Sequence, residues 1–217
     1  MLTNGINAFP DDPLVQSIKA HVKDYMKAYD ASHSWDHIER VVDMAHNIYA
    51  KSDGTSRATM DLRKIHLAAL LHDVGDRKYL LPGQDASTQI QSVLLSYDAP
   101  SQLAQEIQTI CSGVSYTTET RDPAKVASLI QQFPELAVVQ DADRLDAIGA
   151  VGIGRMFTFG GAKTDRTMDG TMEHLDDKLF KLEGMMKTAV GRELARERTE
   201  RMREFKRWWN DEFRSVS

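Results

Sequence analysis

Apolar residues recur at intervals of three and four along most of the chain, the spacing that is typical of amphipathic helices. The first such stretch follows Asp12 and Pro13, an acidic cap with proline in the first helical turn, and its pattern predicts a helix that ends near Asp30. No segment gives a convincing strand pattern. The sequence therefore predicts an all-α protein.

Glycine, proline and short polar residues divide the remaining pattern into further helices. Predicted helices cover about 34–50, 59–74, 85–97 and 100–110, begin again at 123 and 134, and continue from about 172 as one or two long helices. Gly54 is expected to stop the second helix, residues 111–118 are expected to form a loop, and Gly191 is expected to interrupt the C-terminal helices.

The third predicted helix ends in a histidine followed directly by an aspartate. Ile65, Ala69 and His72 lie on one face of this helix, Asp73 comes next, and Gly75 ends the element. Polar groups at the edge of a core need partners, because desolvating them alone costs several kcal/mol. A divalent metal would satisfy both groups, and an ordinary core histidine paired with a helix-end carboxylate is the alternative.

Two other helices carry similar groups among apolar neighbours. His37 shares the inner face of its helix with core-type residues, and Asp141, Asp143 and Asp146 crowd into one helix. Three such close carboxylates repel one another unless cations offset them. The surrounding apolar residues favour a largely buried helix over a solvated acidic face.

Together these side chains offer two imidazoles and two carboxylates. Such a mixed nitrogen and oxygen set suits Mn²⁺, Fe²⁺, Co²⁺, Ni²⁺ or Zn²⁺, and Mg²⁺ is less natural. Four protein ligands on a six-coordinate ion leave positions for water and a phosphate oxygen. The expected cofactor is one divalent metal ion.

The composition of the chain limits the cellular compartments and the binding partners that we expect for the protein. The 217 residues carry a net charge of −5, which gives no reason to expect general nucleic-acid binding but allows a small anionic substrate. A single cysteine, Cys111, excludes an internal disulfide and fits a reducing compartment. Because we find neither a membrane span nor a signal peptide, we expect a soluble cytoplasmic protein without membrane partners.

Three longer motifs surround the candidate ligands. They read H-x-W-x-H-I-x-R-V at 33–41, H-D-x-x-D at 72–76 and Q-D-A-D-R-L-D-A-I-G at 140–149. At these residues the chain resembles the HD superfamily of metal-dependent phosphohydrolases, in its small single-domain branch. The resemblance implies a compact helical bundle over residues 1–217, with a core at about 11–160 and a long C-terminal helical extension at about 171–214.

The resemblance also implies which residues hold the metal. His37, His72 and Asp73 are the expected ligands, together with one later aspartate. Alignment on the shared Ala-Asp core of other HD branches selects Asp143, with Asp141 as second choice. These two aspartates lie about 200° apart around a helix, so both are not expected on one ion. Asp146 could contact one of the metal ligands without binding the metal itself.

Phosphoryl chemistry needs positive charge and proton transfer as well. Phosphate contacts are expected from Lys78, Arg144 and Arg155, each of which could instead be a surface cation or ion-pair partner. Asp76 could orient the attacking water, or it could cap a helix or loop. His33 could serve the leaving group, or it could be a surface histidine.

Related single-domain members imply a nucleotide substrate, with nucleoside triphosphates cleaved to monophosphate and pyrophosphate by a metal-activated water. Hydrolysis of a phosphomonoester is the nearest alternative. A non-catalytic metal-binding or interaction module is a second one. A third is a di-iron HD-family oxygenase, which would use further histidines among His46, His66 and His174. The aromatic C-terminal end could pack on the core or on a second subunit of a homo-oligomer.

Overall fold

The computed structural model describes residues 9–28, 34–75, 85–164 and 166–214, and these ranges contain helices and no strand. The prediction of an all-α protein is confirmed. The α-helices are α1 Pro13–Tyr25, α2 Trp35–Lys51, α3 Gly54–Ala58, α4 Leu62–Leu71, α5 Gln89–Ser96, α6 Ser101–Ser112, α7 Tyr116–Arg121, α8 Pro123–Gln132, α9 Glu135–Asp146, α10 Gly149–Lys163, α11 Met168–Met172, α12 His174–Asp177 and α13 Ala189–Arg214. Two 3-10 helices, Met26–Ala28 and Leu179–Met185, complete the helical elements of the described ranges.

Helices α2, α4 and α9 form the centre of the molecule, and each packs against the other two. In α4 every residue from Ile65 to Leu71 is buried, so the whole second half of this helix lies inside the protein. Full burial of a leucine or isoleucine side chain stabilises the fold by about 1.5–3 kcal/mol. This packing fixes the positions of the polar side chains that the same helices carry.

Helix α9 is buried along most of its length, as its apolar residues predicted. Its buried positions include five polar or charged side chains: Glu135, Gln140, Asp141, Arg144 and Asp146. Buried charges persist only where partners compensate their lost hydration. The partners of Asp141, Arg144 and Asp146, described below, connect α9 to α2, to α7 and to the start of α13.

The C-terminal helix α13 packs on α10 and also contacts α9 and α2. Asp141 accepts hydrogen bonds from the backbone N–H of Lys187 at 2.8 Å, the backbone N–H of Thr188 at 2.7 Å and the Thr188 hydroxyl at 2.7 Å. The expected interruption at Gly191 is wrong, since α13 begins before it at Ala189. Gly191 instead permits close packing, because a Cβ there would lie 2.2 Å from Asp141 Oδ2.

Local capping explains where the other boundaries fall. Asp12 caps α1 as predicted, accepting from the N–H groups of Leu14 and Val15. Gly54 does not end α2 but opens the short helix α3, because the Asp53 side chain caps it. The expected loop at 111–118 is shorter than predicted, since α6 continues to Ser112 and α7 begins at Tyr116.

Within the described ranges, no helix combines the length and apolar character that a bilayer crossing requires.

Candidate metal centre

The three central helices bring four of the predicted ligands to one place. His37 lies in the first turn of α2, His72 and Asp73 follow the last turn of α4, and Asp143 lies on α9. The two imidazole Nε2 atoms are 3.3 Å apart. These two Nε2 atoms, of His37 and His72, and a carboxylate oxygen of Asp143 all lie within 4.8 Å of one another.

Asp73 also lies beside the two histidines. Its carboxylate oxygens lie 3.4 Å from His37 Nε2 and 3.5 Å from His72 Nε2. The Asp143 oxygen is 3.6 Å from His37 Nε2 and 3.8 Å from His72 Nε2. The histidine side chains are 1% exposed, whereas those of Asp73 and Asp143 are 16% and 28% exposed, so the carboxylates form the side of the cluster nearer to solvent.

The ring of His72 is oriented by its own helix. His72 Nδ1 lies 2.8 Å from the carbonyl oxygen of Ala69, one turn earlier. A carbonyl oxygen can only accept a hydrogen bond, so Nδ1 carries the proton and donates it. In the neutral ring the Nε2 lone pair is therefore directed into the cluster.

The ring of His37 is oriented by a side chain from α9 instead. His37 Nδ1 lies 2.7 Å from Asp146 Oδ2, and the same carboxylate receives the guanidinium groups of Arg40 and Arg155. Burial alone would lower the pKa of His37, but its hydrogen bonds to Asp146 and Asp73 outweigh burial and raise that pKa above its ordinary value. Burial would raise the pKa of Asp146, but hydrogen bonds from His37 and Arg40 hold it below its ordinary range.

Asp141, the second choice for the fourth ligand, lies elsewhere on α9. It is fully buried, and both of its carboxylate oxygens accept hydrogen bonds from residues 187 and 188. Burial raises the pKa of Asp141 although these donors oppose the shift. The geometry therefore places Asp141 at the junction with α13 and Asp143 beside the histidine pair.

Arg144 does not lie in the position expected for a phosphate contact. Its side chain is 2% exposed, its guanidinium forms an ion pair with Glu119 on α7, and it donates to the carbonyl oxygen of Met185 at 3.3 Å. Lys187 also pairs with Glu119. These partners make Arg144 part of a buried network that ties α9 to α7 and the C-terminal segment.

Arg155 is the one predicted phosphate-contact residue that the described ranges place near the histidine pair. Its Nη1 lies 3.0 Å from Asp146 Oδ2, and its side chain is mostly buried. The other predicted functional residues, His33, Asp76 and Lys78, lie outside the described residues. Their roles stay predictions.

The described histidines that a di-iron site would use, His46, His66 and His174, give no support to a second metal site. His46 Nε2 lies 2.9 Å from His66 Nδ1, and the ring of Phe9 stacks on His46 with centroids 4.0 Å apart. His174 lies at the start of α12. Within the described ranges, His37, His72 and Asp143 form the only group of three or more candidate ligands. The di-iron alternative therefore finds no support in this part of the chain.

Comparison with known families finds a match over the region that carries these side chains. The family model for the HD domain matches residues 34–148, more than half of the chain. The chain belongs to the HD domain family. The matched region contains His37, His72, Asp73 and Asp143, the four side chains that converge in the structure.

Known relatives agree with this assignment over nearly the whole chain. The Bacillus subtilis protein YpgQ, described as uncharacterized, is 34% identical over 195 residues, which is 88% of this chain and 90% of YpgQ. A crystal structure of YpgQ in complex with ADP aligns with a TM-score of 0.68 at 31% identity, covering 92% of this chain and 94% of that one. An HD-superfamily hydrolase from Bacillus thuringiensis aligns with a TM-score of 0.68 at 27% identity, covering 92% and 96% of the two chains.

Arg40 is not among the predicted site residues but contacts this HD site. Its guanidinium binds both oxygens of Asp146, at 2.7 and 3.0 Å. The signal was present, because Arg40 is three residues after His37 and therefore neighbours it on the surface of α2. What the sequence could not supply was the position of α9 opposite that surface.

Proposed function

We propose that this HD domain protein is a metal-dependent phosphohydrolase that acts on nucleotides and cleaves nucleoside triphosphates to monophosphate and pyrophosphate. The observation that carries the proposal is the convergence of two imidazole Nε2 atoms and the Asp143 carboxylate within 4.8 Å. A relative over nearly the full chain, YpgQ, has been crystallised with ADP, which supports a nucleotide as substrate.

The side chains present fit a divalent metal with mixed nitrogen and oxygen ligands. His37, His72, Asp73 and Asp143 would hold one ion, and the set suits Mn²⁺, Fe²⁺, Co²⁺, Ni²⁺ or Zn²⁺ better than Mg²⁺. When bound, such an ion would polarise a phosphoryl oxygen and would lower the pKa of a coordinated water molecule to near neutral pH. The two carboxylates also offset the positive charge that the ion would bring to a site containing buried imidazoles.

The protein supplies orientation and charge around that ion. Ala69 and Asp146 each fix one imidazole ring, so neither histidine has to be ordered when the substrate binds. Arg155 donates to Asp146, which holds His37, and we retain it as a predicted phosphate contact. We retain Lys78 for a second phosphate contact, Asp76 for orienting the attacking water and His33 for the leaving group as predictions from the motif.

The test is hydrolysis of a nucleotide panel after EDTA treatment, with Mn²⁺, Co²⁺, Ni²⁺, Zn²⁺ or Mg²⁺ added back singly. Products are separated as phosphate and pyrophosphate. His72→Ala and Asp143→Ala should each reduce turnover at least about 100-fold, since either change removes a ligand. Asp24→Asn, which alters an exposed carboxylate on α1, serves as the matched control and should retain full turnover.

The products decide between the possible reactions. Pyrophosphate and monophosphate from a triphosphate support the proposal, whereas inorganic phosphate from a monophosphate identifies a phosphomonoesterase. If a fully metallated protein hydrolyses no nucleotide and no simple phosphate ester, the proposed function is wrong and a non-catalytic metal-binding module replaces it.

A further inference from the structure

One carboxylate connects three helices directly behind the candidate metal centre. Asp146 ends α9, and its Oδ2 lies 2.7 Å from His37 Nδ1 on α2. Arg40 donates to both Asp146 oxygens, Nε at 2.7 Å and Nη2 at 3.0 Å, and Arg155 on α10 donates at 3.0 Å. The side chain of Asp146 is only 5% exposed, so these contacts and not water determine its state.

Two guanidinium groups keep this carboxylate ionised, and an ionised carboxylate accepts hydrogen bonds but donates none. His37 Nδ1 must therefore carry a proton and donate it to Asp146. In the neutral ring the other nitrogen, Nε2, then carries a lone pair and no proton. That atom faces His72 at 3.3 Å and Asp143 at 3.6 Å.

We propose that Asp146 is a positioning residue, which selects the His37 tautomer and holds the ring so that Nε2 is directed at the metal. The proposal rests on the proposed function only in its use of a metal at this site. Carboxylate groups that hold the remote nitrogen of a ligating histidine typically raise metal affinity 10- to 100-fold.

The two arginines make Asp146 suitable for this role. A carboxylate held by one partner can rotate about its side-chain torsions, whereas the Arg40 fork defines its plane and Arg155 restrains one oxygen. Asp143 and Asp146 are also three residues apart on α9 and therefore neighbours on its surface. One helix thus supplies both a candidate ligand and the support for a ligand on α2.

The two histidines are held by different means, and this difference makes the proposal testable. His72 depends on a backbone carbonyl, that of Ala69, which no substitution removes. His37 depends on a side chain that can be changed. A change at Asp146 should therefore disturb the His37 ring and leave the His72 ring as it was.

The experiment compares Asp146→Asn and Asp146→Ala with the intact protein. Two properties are measured: the His37 tautomer, from ¹⁵N-histidine spectra of metal-free protein at pH 8.5, and the affinity for Mn²⁺, from the free-ion signal in electron paramagnetic resonance. Asp43→Asn is the matched control, because Asp43 is another carboxylate that lines the same surface cavity as Asp146. Thermal unfolding by circular dichroism establishes that each variant is folded.

We expect Asp146→Asn to weaken Mn²⁺ binding about 10-fold and Asp146→Ala up to about 100-fold. In the alanine variant His37 should lose its Nδ1–H preference while His72 keeps it. The cavity of about 330 Å³ that Asp146 and Arg40 line gives a small anion access to the vacated position. Formate should therefore restore part of the Mn²⁺ affinity of Asp146→Ala and none of that of Asp146→Asn, where the position stays filled.

Two results would overturn the proposal. One is Mn²⁺ affinity within twofold of the intact protein in folded Asp146→Asn and Asp146→Ala. The other is weakened binding with an unchanged His37 tautomer, since that pattern indicates a merely structural role. Failure of the proposed function looks different: the intact protein binds Mn²⁺ and responds to Asp146 variants but hydrolyses no nucleotide.

Discussion

Mild acid should destabilise the protein through His46 and His66, two buried rings that the candidate metal centre does not use. Burial lowers the pKa of each ring from 6.5 to about 4. The rings lie in hydrogen-bond contact at 2.9 Å, which requires one acceptor nitrogen and is lost if both rings are fully protonated. Because the unfolded chain binds these protons more readily than the folded one, stability is full above pH 6.5 and falls as the pH drops toward 4.

The magnitude follows from the two pKa values. Lowering the pH from 7 to 5 with a folded pKa of about 4 and an unfolded value of 6.5 costs about 1.8 kcal/mol for one ring. Both rings retain some contact with solvent, at 8% and 5% exposure, and screening reduces such terms. We therefore expect a loss of roughly 1 kcal/mol per ring, or about 2 kcal/mol for the pair.

The assay is urea unfolding at pH 7 and pH 5, in EDTA, for the intact protein and for His46→Gln. The glutamine variant cannot titrate, so its free energy of unfolding should fall by roughly 1 kcal/mol less than that of the intact protein over the same interval. Asn47→Ala, a non-titrating change next to His46 on α2, is the matched control and should keep the original pH dependence. Parallel pH dependences for the intact protein and His46→Gln would refute the reasoning.

Two further predictions concern the packing around α9. Gly191→Ala should lower the free energy of unfolding, measured in urea, by roughly 2 kcal/mol, because the added Cβ would lie 2.2 Å from Asp141 Oδ2. Gly54→Ala is the control: a Cβ there would meet nothing within 4 Å, so the free energy of unfolding should change by less than about 1 kcal/mol. Arg144→Gln should lower the free energy of unfolding by roughly 3 kcal/mol, because Glu119 stays buried without the guanidinium that forms its ion pair. The affinity for Mn²⁺, measured below the unfolding transition, should not change. A loss of Mn²⁺ affinity without loss of stability would return Arg144 to the role of a site residue.

The fold class and the helices that carry the candidate ligands could be predicted because both depend on local pattern. Helical spacing placed His37 on an inner face, and the apolar run before His72 indicated burial, so the sequence alone linked both residues to the core. Caps such as Asp12 were equally readable, since an acidic residue before proline satisfies free N–H groups within one turn.

Boundaries set by distant contacts could not be predicted in the same way. The sequence pattern favours an interruption at Gly191, but this residue lies in the first turn of α13. Glycine is required there because the carboxylate of Asp141, fifty residues earlier, occupies the space that a side chain would need. The sequence left an ion pair open for Arg144, but its partner could not be predicted for the same reason. Its partner Glu119 belongs to α7, a helix that the sequence pattern assigned partly to a loop.

The three acidic residues of α9 illustrate how one helix can serve three separate sites. At about 100° per residue, Asp141 and Asp143 point about 200° apart, and Asp146 points about 60° from Asp143. The first carboxylate therefore meets the start of α13, the second lies beside the histidine pair, and the third reaches His37 from behind. Because all three carboxylates belong to the one continuous helix α9, a shift or rotation of this helix that weakens the contact with α13 also displaces Asp143 and Asp146. The C-terminal segment thereby restrains the candidate metal centre although it contributes none of the four predicted ligands.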